Sequence, residues 1–308
     1  MARREAGPPG PLKRLTRRRA LRAALAGGLP LLASCSPLAL VNGLAPSRTY
    51  RASVGHPYGA HQRQRLDVYR PAEQLERSPL VVFFYGGNWK SGARADYLFV
   101  GEALASRGFV ALIPDYRLLP EVRFPAFLED CAQAVAWALS HANEAGADPR
   151  QVFLMGHSAG AYNAAMLALD ARYLRAAGVS QGQIRGWIGL AGPYDFLPLQ
   201  TDVSKAVFGF PDTPLDTQPI HFVTRASPAA LLATGDRDSV VRPENTRRLA
   251  ARLREHAVQV REIIYPGVSH VMLVGSLAAA YRSFAPVLDD VATFVDGTGA
   301  PKKGWSGD

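Results

Sequence analysis

The chain has 308 residues, of which 48% are hydrophobic, and this is enough for one large or two modest folded cores. Its formal net charge of +9 is concentrated at the amino terminus, because residues 1–34 contain eight Lys/Arg side chains and one acidic side chain. The remaining residues carry 27 basic and 25 acidic side chains. This near-neutral balance argues against a nucleic-acid partner.

Residues 1–34 have the pattern of an export signal, in which a basic stretch precedes a short apolar run. The run is too short to span a bilayer, which requires a helix of about 20 apolar residues. Thr16–Leu21 resembles a twin-arginine signal, although Ala20 stands at the usual Phe position, and Leu32–Cys35 resembles a bacterial lipobox. We therefore expect an exported cell-envelope lipoprotein that faces the periplasm and is attached to the membrane through a lipid on Cys35. Ordinary secretion with an unmodified cysteine is the alternative.

The domain boundaries follow from composition. Residues 36–48 contain Pro, Gly and Ser and predict a linker that holds a domain away from a membrane surface. A single α/β domain is expected over residues 49–296, followed by a flexible polar tail over residues 297–308. The second cysteine, Cys131, lies in an apolar helical pattern, so we expect a buried thiol and no disulfide.

Eight strands are predicted from apolar or alternating runs that end at turn residues. They are Tyr50–Val54, Gln64–Tyr69, Leu80–Tyr85, Phe109–Pro114, Val152–Met155, Ile184–Leu190, Ala229–Thr234 and Val260–Tyr265. Helical patterns occupy Ala95–Arg107, Pro125–His141, Ala161–Asp170 and Pro243–Ala257, and a last helix falls within Ser276–Phe294. This alternation predicts an α/β fold with a mostly parallel twisted sheet and helices on both faces. The proline-rich residues 197–226 predict a small cap, with a long surface loop as the alternative.

The segment Gly156–Gly160 reads Gly-His-Ser-Ala-Gly, directly after an apolar strand and before a helical pattern. The pattern G-x-S-x-G in this setting is typical of a nucleophile turn, which exposes a serine hydroxyl beyond the end of a sheet. We therefore expect Ser158 to be a nucleophile and the N–H of Ala159 to stabilise an oxyanion. A chance match to the pattern is the alternative.

A serine nucleophile requires a histidine base and an acid that orients it. Among seven histidines, His270 is the best candidate because it lies in a loop just after a predicted strand. The acid is expected in the loop after the preceding strand, where Asp238 is favoured and Asp236 is the alternative. The order Ser158, Asp238, His270 is the one found in α/β-hydrolases.

Two glycines follow the buried strand that ends at Tyr85, in the sequence Tyr-Gly-Gly-Asn-Trp. Glycines at this point allow the backbone to turn its N–H groups inward, so Gly87 and Asn88 are expected to complete the oxyanion hole with Ala159. An ordinary Gly-Gly turn is the alternative.

Candidate walls of a substrate pocket are large apolar side chains near these segments. They are Trp89, Phe208, Phe210 and Met272. Plain packing is the more frequent role of such residues. No His/Cys/Asp cluster has the spacing of metal ligands, so no metal or cofactor is expected.

Several motifs in this order resemble the carboxylesterase branch of the α/β-hydrolases, which includes hormone-sensitive-lipase-like and feruloyl-esterase-like (BD-FAE-like) enzymes. The motifs are Tyr85–Trp89, Asp115–Glu121, Phe124–Ala126, Gly156–Gly160 and Gly192–Asp195. The resemblance implies a serine hydrolase that cleaves small carboxylic esters through an acyl-enzyme, with Tyr85 where many relatives have histidine. An aryl formamidase or a polysaccharide acetyl or feruloyl esterase would use the same residues. A non-catalytic envelope lipoprotein that retains the fold is the alternative of another class.

Overall fold

An eight-stranded mixed sheet forms the centre of the computed structural model, which describes residues 37–73 and 77–299. The strands are β1 Tyr50–Pro57, β2 Arg65–Pro71, β3 Ser78–Phe84, β4 Val110–Pro114, β5 Ala147–His157, β6 Ile184–Leu190, β7 Ala229–Gly235 and β8 Val260–Tyr265. Their order in the sheet is β1-β2-β4-β3-β5-β6-β7-β8. The β1–β2 and β2–β4 pairs are antiparallel and every other pair is parallel, so the predicted α/β fold is confirmed.

Along the chain, most helices lie between two strands. They are α1 Pro37–Gly43, α2 Leu98–Ala105, α3 Ala126–Ser140, α4 Ala159–Leu169, α5 Ala171–Ala176, α6 Asp202–Phe208, α7 Glu244–Glu255, α8 His270–Gly275 and α9 Val287–Gly299. In the central strand β3, all five residues from Leu80 to Phe84 are fully buried. Because successive side chains of a strand point to opposite faces, both faces of the sheet are covered there.

Each predicted strand overlaps an observed strand, but four short helices were not predicted. They are α1, α5, α6 and α8, and each has only six or seven residues, which is too short for a clear periodic pattern. The helix α6 lies in the predicted cap, which is therefore not wholly irregular.

Helices occupy parts of the predicted linker and of the predicted tail. Helix α1 occupies much of the predicted linker, and its Asn42 side chain donates to Ala95 O (2.8 Å) and accepts from Phe99 N (3.1 Å). Helix α9 continues to Gly299, past the predicted start of the tail. The predicted export signal, Cys35 and the end of the tail (300–308) lie outside the described residues.

The carboxyl ends of the parallel strands meet at one edge of the sheet. The backbone register pairs Phe84 of β3 with Gly156 of β5, and His157 of β5 with Leu190 of β6. The loops that follow these strands therefore lie side by side, where α/β folds place their functional sites. We call this the carboxyl edge. Within residues 37–73 and 77–299, no helix combines the length and the apolar character needed to cross a membrane.

Candidate active site

The turn between β5 and α4 holds Ser158 in a backbone conformation that non-glycine residues rarely adopt. Its φ and ψ are 56° and −122°. The turn is possible because the flanking residues are glycines: a Cβ added to Gly156 would lie 2.1 Å from Gly160 O, and one added to Gly160 would lie 1.9 Å from Phe84 O. The N–H of Ser158 is fixed by a 2.9 Å hydrogen bond to Leu190 O. The serine therefore sits rigidly at the carboxyl edge.

A buried histidine–aspartate pair lies at the same edge. His270 Nδ1 donates to Asp238 Oδ2 at 2.7 Å. The other carboxylate oxygen of Asp238 accepts the N–H groups of Val240 (2.9 Å) and Val241 (2.8 Å). Because a carboxylate only accepts hydrogen bonds, the neutral imidazole carries its proton on Nδ1. Its Nε2 is then left with a lone pair that can take up a proton.

The second acid of this loop has a different partner. Asp236 Oδ1 accepts the N–H of Gly267 at 2.7 Å, and the N–H of Asp236 donates to Tyr265 O at 3.0 Å. Asp236 therefore fastens the loop after β7 to the loop after β8. Of the two acids considered from the sequence, the structure pairs Asp238 with the histidine.

His157 links the serine turn to the histidine loop. Its Nε2–H donates to His270 O at 3.1 Å, and the two ring centroids are 4.7 Å apart. Burial, together with the smaller effect of the nearby His270, lowers the pKa of His157 to about 3, so this ring is neutral near pH 7. Among the described residues, the Ser158 hydroxyl forms no hydrogen bond with the His270 ring. Such contacts are often long in the absence of substrate and tighten only when it binds.

The loop after β3 passes directly beside Ser158. Its residues Gly87–Trp89 have consecutive positive φ values of 118°, 54° and 55°. A Cβ added to Gly87 would lie 2.1 Å from Ser91 O, and a Cβ added to Gly86 would lie 3.0 Å from Ser158 Cβ. Glycine is therefore required at position 87 by both the backbone conformation and the lack of space. At position 86, the absence of a side chain allows the loop to approach Ser158 closely.

Tyr85, which precedes this loop, is fully buried, and its hydroxyl both donates and accepts a hydrogen bond. It donates to Asp115 Oδ1 at 2.7 Å and accepts from Arg63 Nη2 at 2.9 Å. Its ring stacks on Tyr97 and Tyr116, with centroid distances of 5.3 and 4.9 Å. Burial raises the pKa of Tyr85 well above its usual value, so the phenol keeps its proton.

The acid that binds Tyr85 is itself part of a larger set of charged side chains. Asp115 Oδ1 also accepts the N–H of Arg94 at 2.7 Å, and Arg94 Nε donates to Asp67 Oδ1 at 2.8 Å. We call Tyr85, Arg63, Arg94, Asp67 and Asp115 the Tyr85 network. It joins β2, the loop after β4 and the segment before α2 to the loop beside Ser158. None of these partners was predicted from the sequence.

Trp89, at the other end of the loop, is hydrogen-bonded to α4, the helix that follows Ser158. Its Nε1–H donates to Asn163 Oδ1 at 3.0 Å, and Asn163 Nδ2 lies 3.6 Å from the buried thiol of Cys131. Burial raises the pKa of Cys131 well above its usual value. The expectation that the Cys131 thiol is buried is confirmed.

The four candidate pocket residues divide into two groups. Trp89 and Phe208 are only 5% and 4% exposed and pack edge to face at 4.8 Å, which is a packing role. Phe210 is 60% exposed on the cap beside Lys205, and its place in a pocket wall stays a prediction. Met272 is 38% exposed and follows His270 in α8. In the described part of the chain, no group of His, Cys, Asp or Glu side chains is arranged to hold a metal ion.

Comparison with known proteins identifies the family and the fold. The BD-FAE family model matches residues 66–253. Esterase LipC of Mycobacterium tuberculosis is 31% identical over 235 residues, which are 69% of this chain and 58% of that protein. Kynurenine formamidase of Danio rerio is 28% identical over 172 residues, which are 55% of this chain and 56% of that protein. The chain thus spans just over half the length of these curated relatives.

The solved structures agree on the fold. The crystal structure of esterase B from Lactobacillus rhamnosis, with a phosphonate inhibitor, superposes with a TM-score of 0.74 at 19% identity. The match covers 92% of this chain and 96% of that chain. At this level of identity, the likeness shows a shared α/β-hydrolase fold.

Proposed function

Because the chain belongs to the BD-FAE family of α/β-hydrolases, we propose that it is a serine hydrolase that cleaves carboxylic esters. The observation that carries the proposal is the buried 2.7 Å hydrogen bond between His270 and Asp238, at the same edge of the sheet as the strained Ser158 turn. Strained backbone of this kind persists where the surrounding structure holds it, and it is concentrated at functional sites.

In the proposed mechanism, Ser158 Oγ attacks the ester carbonyl while His270 Nε2 takes the hydroxyl proton. Asp238 stabilises the imidazolium that forms and keeps the ring in the required orientation. The imidazolium then protonates the leaving alcohol, and an acyl-enzyme remains. Water, deprotonated by the same imidazole, releases the carboxylic acid and restores the serine.

The developing oxyanion is proposed to accept hydrogen bonds from the N–H groups of Gly87, Asn88 and Ala159. The first two belong to the loop that passes beside Ser158, and the third belongs to the first residue of α4, whose N–H has no carbonyl partner within the helix. Removing one such donor typically costs about 100- to 1,000-fold in kcat.

The first test uses a short p-nitrophenyl ester. The Ser158→Ala variant is expected to lose at least about a thousandfold in kcat, because it lacks the nucleophile. Ser140→Ala, at the exposed end of α3, is the matched control and should keep wild-type activity. Equal activity of the Ser158→Ala and wild-type proteins would remove Ser158 from the mechanism. An inactive wild-type protein would instead favour the non-catalytic lipoprotein.

Aryl formamides are the second candidate substrate class, and the similarity to a kynurenine formamidase favours it. The same residues would act on a formamide carbonyl, with an amine as the leaving group. Comparing kcat/KM for a phenyl ester with that for an N-formyl arylamine, in the same protein preparation, separates the two classes. A higher value for the formamide would replace the ester proposal.

We also propose that the protein is exported and attached to the envelope by a lipid on Cys35. The basic and apolar pattern of residues 1–34 and the lipobox-like residues before the cysteine support this. Fractionation of cells that produce the Cys35→Ala variant tests it. The variant is expected in the soluble fraction, and a variant that stayed in the membrane fraction would contradict the proposal.

A further inference from the structure

A second concave site lies at the edge of the sheet opposite Ser158. It is a cleft of about 440 Å³ lined in part by Arg51, Arg70 and Glu144. Ser78, which begins β3, also lines the cleft, so it opens at the amino ends of the parallel strands. The proposed esterase chemistry does not use these residues.

Two arginines lie side by side in the lining of this cleft. Arg51 of β1 and Arg70 of β2 are directly paired in the antiparallel register. Residues paired in this way project from the same face of the sheet, and like charges at such positions destabilise the pair of strands. The fold therefore maintains two adjacent guanidinium groups at a cost.

No carboxylate within residues 37–73 and 77–299 forms a salt bridge with either arginine. The Nε of Arg51 reaches only the carbonyl oxygen of Ala72, at 3.4 Å. The Nε of Arg70 is buried and has no hydrogen-bond partner among the described residues. A buried N–H without an acceptor is unfavourable, and native structures rarely contain one unless a ligand or water satisfies it.

An adjacent cleft of about 390 Å³ shares Arg70 and Glu144 with the first. It is lined by Trp137 and His141, whose rings stack with centroids 4.0 Å apart. Arg70 thus lines a cleft that also contains a pair of stacked rings, which provides room for the organic part of a ligand.

We propose that the cleft between Arg51 and Arg70 binds a phosphate-type oxyanion, either free or as part of an organic phosphate or phospholipid head group. Two guanidinium forks match the oxygen atoms of such a group, and its negative charge would offset the repulsion between them. Glu144 can accept a hydrogen bond from a protonated phosphate oxygen or from a neighbouring hydroxyl of the ligand. The proposal is independent of the esterase mechanism.

The test is a titration of the full chain with inorganic phosphate, compared with chloride at equal ionic strength. Binding is measured by the shift in Tm and by calorimetry. The Arg70→Gln and Arg51→Gln variants should bind phosphate at least about tenfold more weakly than wild type, because each loses a charge-assisted donor. Without phosphate, Arg70→Gln should be at least as stable as wild type, since the like-charge pair is gone. Ester hydrolysis should be unchanged in both variants.

Arg175→Gln is the matched control, because Arg175 is exposed and forms no ion pair in the described part of the chain. It should respond to phosphate as wild type does, including any general salting-out effect of phosphate on Tm. An equal phosphate response in all four proteins would overturn the proposal. Should Arg70→Gln fail to fold, the exposed Arg51→Gln variant decides the question alone.

Vesicles identify the source of the phosphate. If phosphatidylglycerol vesicles bind the full chain in an Arg70-dependent manner and phosphatidylcholine vesicles do not, the ligand is an anionic lipid head group. If inorganic phosphate binds and vesicle binding does not depend on Arg70, the ligand is a soluble phosphate. The comparison with Arg70→Gln removes the contribution of the basic amino-terminal residues, which both proteins contain.

Discussion

The two sides of Ser158 are held in place by different kinds of contact. On the side proposed to transfer the proton, which comprises Asp238 and His270 and is called the proton-transfer side, a few short hydrogen bonds within two adjacent loops define the geometry. On the side proposed to bind the oxyanion, which comprises residues 85–89 and is called the oxyanion side, the loop has three consecutive positive φ values and depends on the buried Tyr85 network. One side is locally determined, and the other is held from distant parts of the chain.

This difference indicates where changes to the sequence should affect catalysis. A substitution on the proton-transfer side should matter only if it touches the reacting groups. On the oxyanion side, the strained loop is stable only while its buried partners hold it, so residues far from Ser158 should influence kcat. Four predictions test this contrast.

The largest effect is expected for Asp238→Asn. An amide can donate to His270 Nδ1 and favour the wrong tautomer, so kcat for a p-nitrophenyl ester should fall by about 1,000- to 10,000-fold. Asp236→Asn is the matched control, because Asp236 binds Gly267 N and not the histidine. Its kcat should stay within about tenfold of wild type, because the amide oxygen of Asn can still accept the N–H of Gly267. Similar losses in both variants would show that the proton-transfer side is not locally determined.

The next effect is expected for Tyr85→Phe. The change keeps the stacked ring but deprives Asp115 and Arg63 of a buried partner, which should cost about 1–3 kcal/mol in the free energy of unfolding. We expect kcat to fall by about tenfold with KM little changed, because the oxyanion donors act mainly in the transition state. Urea denaturation and steady-state kinetics measure the two quantities.

Tyr265→Phe provides the comparison for this prediction, because Tyr265 also donates to a carboxylate, that of Asp290, at 2.7 Å. That variant should lose stability and keep its kcat. If the two variants lost activity equally, the effect of Tyr85→Phe would reflect stability alone.

A smaller effect is expected for Asn163→Leu. The substitution keeps the branched shape and the number of heavy atoms of the buried side chain, and it leaves the Trp89 N–H without an acceptor. Because glycines and the Tyr85 network still define the rest of the loop, we expect a kcat loss of only a few-fold and about 1–3 kcal/mol of lost stability. A kcat loss as large as that of Asp238→Asn would mean that Trp89 controls the loop by itself.

The smallest effect on activity concerns His157, which contacts both sides. Its pKa of about 3 in the folded state lies below the ordinary value near 6.5, so folding keeps it neutral. Below about pH 6.5 the unfolded chain takes up a proton on this histidine and the folded chain does not. The free energy of unfolding therefore falls by about 1.4 kcal/mol per pH unit as the pH falls from about 6.5 toward 3. His157→Gln should flatten the dependence of unfolding free energy on pH between 4 and 6 and leave activity at pH 7 nearly unchanged. An unchanged slope would mean that another group causes the acid sensitivity.

Much of the sheet and part of the site could be predicted from the sequence, for a physical reason. Strands buried on both faces appear as continuous apolar runs, as in β3, and the glycines of the serine turn mark a backbone that excludes side chains. The pairing of Asp238 rather than Asp236 with His270 was favoured from its place in the loop, but only the coordinates distinguish the two acids.

The remaining features depend on contacts between distant residues or on very short elements. The partners of Tyr85 come from several segments, and no local pattern connects them. Helix α6 did have a signal that could have predicted it, because Thr201 and Ser204 form a reciprocal cap at its start. The exposure of Phe210 could not be predicted, since an apolar residue in an irregular segment gives no periodicity to orient it.

The inaccessible thiol of Cys131 has a practical consequence for work on this protein. The chain has two cysteines, and replacing Cys35 leaves one that is fully enclosed and resists deprotonation. Alkylating reagents are attacked by the thiolate form of cysteine, so they should not modify Cys131. A cysteine introduced at an exposed position such as 210 in the cap would then accept a fluorophore selectively and report on cap movement during turnover.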